Sequence, residues 1–192
     1  MKKKRCQWVT DDPIYIDYHD HEWGRPVYDD RRFFEMLTLE GAQAGLSWIT
    51  ILKRRENYWE AFDQFDFHKI ASYDENRIQE LLKNDGIIRH ERKIRSVVKN
   101  ARHFIEIRNE YGSFSEYIWS FVDGQPIINY WKESKDVPQS TPLSEKISKD
   151  LKKRGFTFVG PVIIYSFLQA TGIINDHEVG CFCHPNNQKN NK

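Results

Sequence analysis

The chain has 192 residues, enough for one well-cored domain or for two small helical lobes sharing an interface. Its 29 Lys+Arg against 28 Asp+Glu leave a formal net charge of +1, so no overall field advertises a polyanionic partner and any nucleic-acid footprint must be local. Six Trp, nine Tyr and twelve Phe beside a mean hydropathy of -0.73 describe a small core of large side chains; no apolar run approaches the roughly 20 residues of a membrane span, and three Cys cannot build a disulfide framework, which points to a reducing, cytoplasmic compartment.

The start, Met1 to Arg5, is basic like the beginning of a secretory signal, but Asp11, Asp12 and Pro13 arrive before any apolar run, so no signal peptide is expected. Asp30 reads as the N-cap of a helix to about Gly45, with Phe33, Met36, Leu37 and Ala44 on one arc and Glu40 in its middle. Ser47 opens a second helix through Trp48, Ile51, Leu52, Tyr58, Trp59 and Phe62, with Lys53, Arg54 and Arg55 on its outer face. A third follows Asp74, turns Ile78, Leu81 and Leu82 inward, and stops at Asp85-Gly86.

From about Glu91 to Asn109, Ile94, Val97, Val98, Ala101, Phe104 and Ile105 keep a helical period opposite a crowd of Arg and Lys. Ser113 and Glu116 form a capping box, after which Asp123-Gly124, Pro126, Pro138 and Pro142 mark a long irregular connection. Thr141-Pro142 starts a helix ending at Gly155, and Gly160-Pro161 starts another, closed by Gly172. With no repeats and no alternating strand pattern, the fold class is all-α, one domain over 1–184 or two lobes of about 30–140 and 1–29 plus 141–184. The Asn- and Lys-rich tail, 185–192, is expected to be disordered.

Three constellations carry chemistry. The turn Gly155 to Gly160 lies between two helices, where free amides at the next helix start would favour a DNA phosphate and Lys152, Lys153 and Arg154 would add mobile cations. As a lone pattern, two glycines in a turn more often mark an ordinary helical hairpin. Cys6 and His19 near the start, with His177 and Cys181 near the end, make a normal tetrahedral zinc set that would be structural, since four protein ligands leave no open position. Cys183, His184 and His21 are rival ligands, and spacing alone does not separate a site from scattered thiols and surface imidazoles.

Glu40, on an apolar helix face, would bury a charge at a cost of several kcal/mol unless it finds a partner. An arginine or backbone amides would serve, but Trp8, Tyr15, Tyr18, Trp23 and Trp48 crowd nearby and suit a flat cationic ring that stacks and donates to Glu40. A helical interaction domain with an aromatic core, a damage-binding module that does not cut and a zinc hydrolase are the competing readings.

Long ordered motifs then add a resemblance: Cys6-Gln7-Trp8-Val9, Tyr18-His19-Asp20, Glu22-Trp23-Gly24, Leu39-Glu40-Gly41 through Ser47-Trp48, Gly86 to His90, Lys152 to Phe156 and Asn175-Asp176-His177. From about Cys6 to Cys181 the chain resembles the 3-methyladenine DNA glycosylase I family of the helix-hairpin-helix glycosylase superfamily. The resemblance implies one zinc ion held by Cys6, His19, His177 and Cys181. It implies a base pocket at Glu40, Tyr18 and Trp48, walled by Trp8 and Trp23 with Tyr15 less securely placed, and a DNA-backbone hairpin at Gly155 to Gly160 with Lys152 and Lys153. It also implies an enzyme that flips N3-methyladenine from double-stranded alkylated DNA and hydrolyses its bond to the sugar without a covalent lysine intermediate. Free 3-methyladenine would be product and inhibitor, Glu40 the catalytic and recognition group, and the protein a monomer. The family lacks the catalytic Asp of its superfamily; Asp176, beside a predicted ligand, is expected at most to orient His177.

Overall fold

The computed structural model describes residues 3–188. The Asp12 side chain accepts from the Ile14 amide and Pro13 takes the first helical position, which starts α1 (Pro13–His21). The sequence pattern conceals this helix because its polar and aromatic residues form no apolar stripe. Asp29, one residue before the expected cap, accepts from the Arg32 amide and starts α2 (Asp30–Gln43). Ten consecutive residues of α2, Phe33 to Ala42, are buried, the signature of a helix enclosed on all sides.

The helix expected from Ser47 to Phe62 is broken at Lys53 and Arg54 into α3 (Trp48–Leu52) and α4 (Arg55–Ala61). Arg55 turns inward there, 2.7 Å from Glu35 and 2.9 Å from Glu22, instead of joining an outer basic face. A 3-10 turn at Asp63–Phe65 and α5 (Phe67–Ala71), capped by Asp66, precede α6 (Glu75–Lys83), which Asp74 caps as its position predicts. The long α7 (Glu91–Tyr111) buries Ile94, Val97, Val98, Ala101 and Phe104, while Ile105 stays only partly covered. Ser113 caps α8 (Phe114–Trp119) through the Glu116 amide at 2.9 Å.

The irregular connection contains β1 (Ile127–Ile128), and Thr141 then caps α9 (Pro142–Lys153). Gly160 precedes α10 (Pro161–Ala170), followed by β2 (Ile174–Asn175). The two strands pair in parallel, Ile127 opposite Ile174 and Ile128 opposite Asn175, so the all-α expectation becomes a mostly helical fold with one short ribbon. Two-residue strands are too short to show alternation in sequence. Pro185–Gln188 forms a helical turn, α11, where disorder is expected; Asn187 Nδ2 ties it to the Val179 and Cys181 carbonyls at 2.9 and 2.7 Å, and the rest of that tail lies outside the described residues.

The main apolar core runs from Phe33 to Ile174 and is centred on α2, which packs against α10 on one side and α7 and α8 on another. A smaller cluster of Cys6, Tyr18, Trp23, Leu52, Cys181 and Cys183 joins the two chain ends, with Trp8, Tyr15 and Trp48 packed onto it. Gly172, at φ +66°, lies directly against the Arg25–Pro26 backbone: a Cβ there would lie 2.1 Å from the Arg25 carbonyl carbon. Gly172→Ala therefore meets both a backbone clash and a left-handed φ, and is expected to cost more than about 3 kcal/mol in urea unfolding. A loss below about 1 kcal/mol would mean that the Arg25 segment yields freely.

Candidate active site

Two glutamates are buried on α2, and their surroundings differ. Glu35 accepts from Arg32 at 2.5 Å and from Arg55 at 2.7 Å, the ordinary solution for a buried carboxylate. Glu40, one turn further on and 3% exposed, has no such arginine: its Oε2 is buried without a hydrogen-bond partner among the described residues. Burial pushes its carboxyl up from an ordinary value near 4.5 to about 8, so the free protein holds it protonated at neutral pH.

Beside Glu40 lies a cavity of about 340 Å³. Tyr18 and Tyr15 reach it from α1, Trp48 from the start of α3, and Trp8 and Trp23 from either side of α1. All six predicted pocket residues are thus brought together. Trp8 meets Trp23 edge to face at 5.0 Å and Tyr15 at 5.2 Å, while Tyr18 and Trp48 lie 5.4 Å apart, a set of rigid walls. The indole Nε1 groups of Trp8 and Trp48 are also buried without partners among the described residues. Two indole donors and one carboxyl oxygen, all on residues that line the cavity, are thus left without partners among the described residues. Burial, and next the nearby Glu40, raise both the Tyr15 and Tyr18 phenols, which keeps them neutral.

Residues that sequence reasoning passed over complete the lining, Gln43, Ser134, Val137, Ser166, Gln169 and Glu178, together with Asp176, which it placed only beside His177. Glu178 follows a predicted metal ligand, which is the signal that could have found it; Ser134 and Val137 sit in the irregular connection and carry no signal.

Behind the aromatic wall, the donor atoms of Cys6, His19, His177 and Cys181 all lie within 4.8 Å of one another in buried positions. Cys6 Sγ is 3.5 Å from His177 Nδ1, and Cys181 Sγ is 3.4 Å from His19 Nε2 and 3.7 Å from His177 Nδ1. A tetrahedron with ~2.0–2.1 Å metal–nitrogen and ~2.3 Å metal–sulfur bonds has neighbouring donors about 3.5 Å apart, so the four residues fit a metal ion. The remaining ring nitrogens are engaged, His19 Nδ1 with Asp20 at 2.8 Å and His177 Nε2 with the Trp23 carbonyl at 3.0 Å. Asp176 does not orient His177 as expected; its carboxylate turns toward α10 instead. Among the rivals, His21 is exposed and pairs with Asp17, and His184 faces the Asn129 carbonyl. Cys183 groups only with His19 and Asp20.

The turn between α9 and α10 is fastened to α7 by a reciprocal pair, Asn100 Nδ2 to the Thr157 carbonyl and the Thr157 amide to Asn100 Oδ1, both 2.9 Å. Gly155 there has φ +101°, and a Cβ on Gly160 would point into open space. Lys152 and Lys153 are exposed, but Arg154 is not a mobile cation: it is held by Glu110 at 2.6 Å and Asp150 at 2.8 Å.

The family described as Methyladenine glycosylase matches residues 8–184 of this chain. DNA-3-methyladenine glycosylase 1 of Escherichia coli (strain K12) is 50% identical over 185 residues, covering 96% of this chain and 99% of that protein. DNA-3-methyladenine glycosylase of Haemophilus influenzae is 48% identical over 179 residues, covering 93% and 97%. A crystal structure of 3-methyladenine DNA glycosylase I superposes with a TM-score of 0.92 at 54% identity, covering 95% of this chain and all 100% of that one. The Staphylococcus aureus enzyme, solved for the structural basis of its 3-methyladenine recognition, superposes with a TM-score of 0.91 at 40% identity, covering 94% and 96%. A family match over nearly the whole length, joined to close relatives and a shared fold, shows that the chain belongs to the 3-methyladenine DNA glycosylase I family and is a glycosylase.

Proposed function

We propose that this enzyme excises N3-methyladenine from double-stranded alkylated DNA, taking the flipped base into the aromatic cavity and leaving an abasic site. The observation that carries the reading is the unpartnered carboxyl oxygen of Glu40 inside that cavity. Methylation at N3 makes the base cationic and a better leaving group, because it departs neutral. Stacking on Trp48, Trp8 and Trp23 and a charge-assisted bond to Glu40 offset an unstacking cost of a few kcal/mol. A cation beside Glu40 draws its pKa back down, so capture of the base is coupled to loss of the Glu40 proton. Neutral adenine, uncharged at the ring, gains less from both the stacking and the bond to Glu40.

Water attacks the sugar carbon in this reading, and no lysine among the described residues lines the cavity to form a covalent intermediate. The turn from Gly155 to Gly160 is assigned as a helix-hairpin-helix that holds DNA phosphates, with Lys152 and Lys153 alongside. Cys6, His19, His177 and Cys181 would hold one zinc ion, whose contribution is structural because the four donors fill a tetrahedron. The enzyme is read as a cytoplasmic monomer.

A base-release assay on N3-methylated duplex DNA tests the proposal. Free 3-methyladenine is the expected product and is expected to inhibit competitively. Intact glycosidic bonds after prolonged incubation at enzyme excess would refute it.

A further inference from the structure

The turn read as holding DNA phosphates and the acid that meets the base lie on different elements, and one residue joins them. Phe158, inside that turn, has φ +56°, a left-handed conformation that a bulky side chain rarely adopts. Core stability does not account for it: Phe158 is only half-buried and belongs to neither apolar cluster, and its aromatic neighbour is His90, edge to face at 6.4 Å. What the strained backbone achieves is a contact. A Cβ built on Gly41 would lie 3.4 Å from Phe158 Cβ and 3.5 Å from the Phe158 carbonyl oxygen. Gly41 is buried on α2 and follows Glu40 directly, so the turn rests on the helix beside the pocket acid.

Both sides of this contact are fastened to α7. Asn100 holds Thr157 through the reciprocal pair described above, and Lys93 Nζ donates to the Ala42 and Ala44 carbonyls at 2.8 and 2.7 Å, which secures the end of α2. Lys93 and Asn100 stand two turns apart on one helix, about 10 Å along its axis. On the far side of the turn, Ser148 Oγ on α9 donates to the Val159 carbonyl at 2.6 Å. The gap lined by Gly41, Ala42, Lys93, Asn100 and Phe158 measures about 10 Å³, room for no more than one water. With both sides tied and the gap filled, Phe158 sets how far the turn stands from α2.

We propose that Phe158 is a positioning residue for excision: the spacer that fixes the distance between the phosphate-holding turn and Glu40, so that a duplex seated on the turn delivers its flipped base in register with the pocket. The proposal rests on the excision and hairpin readings above. Its signature differs from that of a stability residue, because binding of each half of the substrate persists while their joint use fails. A displacement of about 1 Å at the reacting groups costs up to about 100-fold in rate.

The test measures three quantities for metal-loaded wild type, Phe158→Ala and Phe158→Leu: the single-turnover rate of N3-methyladenine excision at saturating enzyme, the Kd for an abasic duplex and the Kd for free 3-methyladenine. Phe158→Ala is expected to excise about 10- to 100-fold more slowly while both Kd values move less than about threefold, and Phe158→Leu, which refills the gap, is expected to return the rate to within about threefold of wild type. A wild-type rate in Phe158→Ala, a loss in which both Kd values rise in step, or no recovery in Phe158→Leu overturns the proposal. Should Phe158→Ala fail to fold, Phe158→Gly takes its place under the same outcomes, since glycine adopts a left-handed φ without strain. Gly160→Asp separates the underlying readings: a carboxylate in the open space where a phosphate would approach is expected to weaken abasic-duplex binding more than about tenfold. Undiminished duplex binding in Gly160→Asp refutes the hairpin reading, a wild-type enzyme that binds both ligands but releases no base refutes the excision reading, and in either case the proposal falls with it.

Discussion

The Glu40→Gln enzyme is expected to release 3-methyladenine about 10- to 100-fold more slowly while folding more stably than wild type. The loss follows from exchanging a charge-assisted hydrogen bond for a neutral one. The gain follows from linkage. The folded protein holds the Glu40 proton up to about pH 8, whereas the unfolded chain releases it near 4.5. Wild-type stability is therefore complete below about pH 4.5 and declines as pH rises to about 8, where the cost levels off. Gln carries no such proton, so its advantage is absent at pH 4, grows through neutrality and reaches up to about 5 kcal/mol at pH 8 and above. Thermal unfolding at pH 4.5 and 8.5, beside single-turnover excision, reads both effects. Equal stability of the two proteins at pH 8.5 would show that Glu40 has a partner in solution, and full excision activity would remove it from the mechanism.

Replacing Cys6 by Ser is expected to cost more than about 5 kcal/mol, comparable with the whole stability of a small domain. The reason is topological as well as chemical. Cys6 and His19 come from the start of the chain, His177 and Cys181 from its end, and the Phe182 amide donates to the Lys4 carbonyl at 2.8 Å beside them. The ligands also share short segments with the pocket: Trp8 follows Cys6 by two residues and packs edge-on against His19 at 5.3 Å, and Tyr18 immediately precedes His19 on α1. Loss of an ion held by these four residues should release Trp8, Tyr15 and Tyr18 together, so metal content, helical signal and affinity for free 3-methyladenine should fall in parallel. A Cys6→Ser protein that melts like wild type while losing only turnover would make the metal catalytic and overturn its structural assignment.

Much of the fold was legible because its causes are local. Asp74, Ser113 and Thr141 cap helices at the expected positions, and α7, α9 and α10 follow from apolar spacing and from Pro just inside the helix start. The failures are equally physical. The break that turns Arg55 inward reflects its pairing with Glu22 and Glu35, and the parallel ribbon joins residues far apart in the chain. Neither interaction leaves a periodic trace.

The sequence by itself determined which chemical groups were available: an acid on an apolar face, indoles and phenols around it, and two thiol–imidazole pairs at opposite ends. Tertiary structure alone decided their states. Glu35 and Glu40 are the same residue type on the same helix, yet α4 delivers an arginine to one and the cavity leaves the other unpartnered and protonated. Asp176 has its four hydrogen-bond partners only because the segment around β1 and α10 converge on it. Ionisation inside a protein depends on what lies within a few Å in space, and that is set by packing between elements rather than by order along the chain.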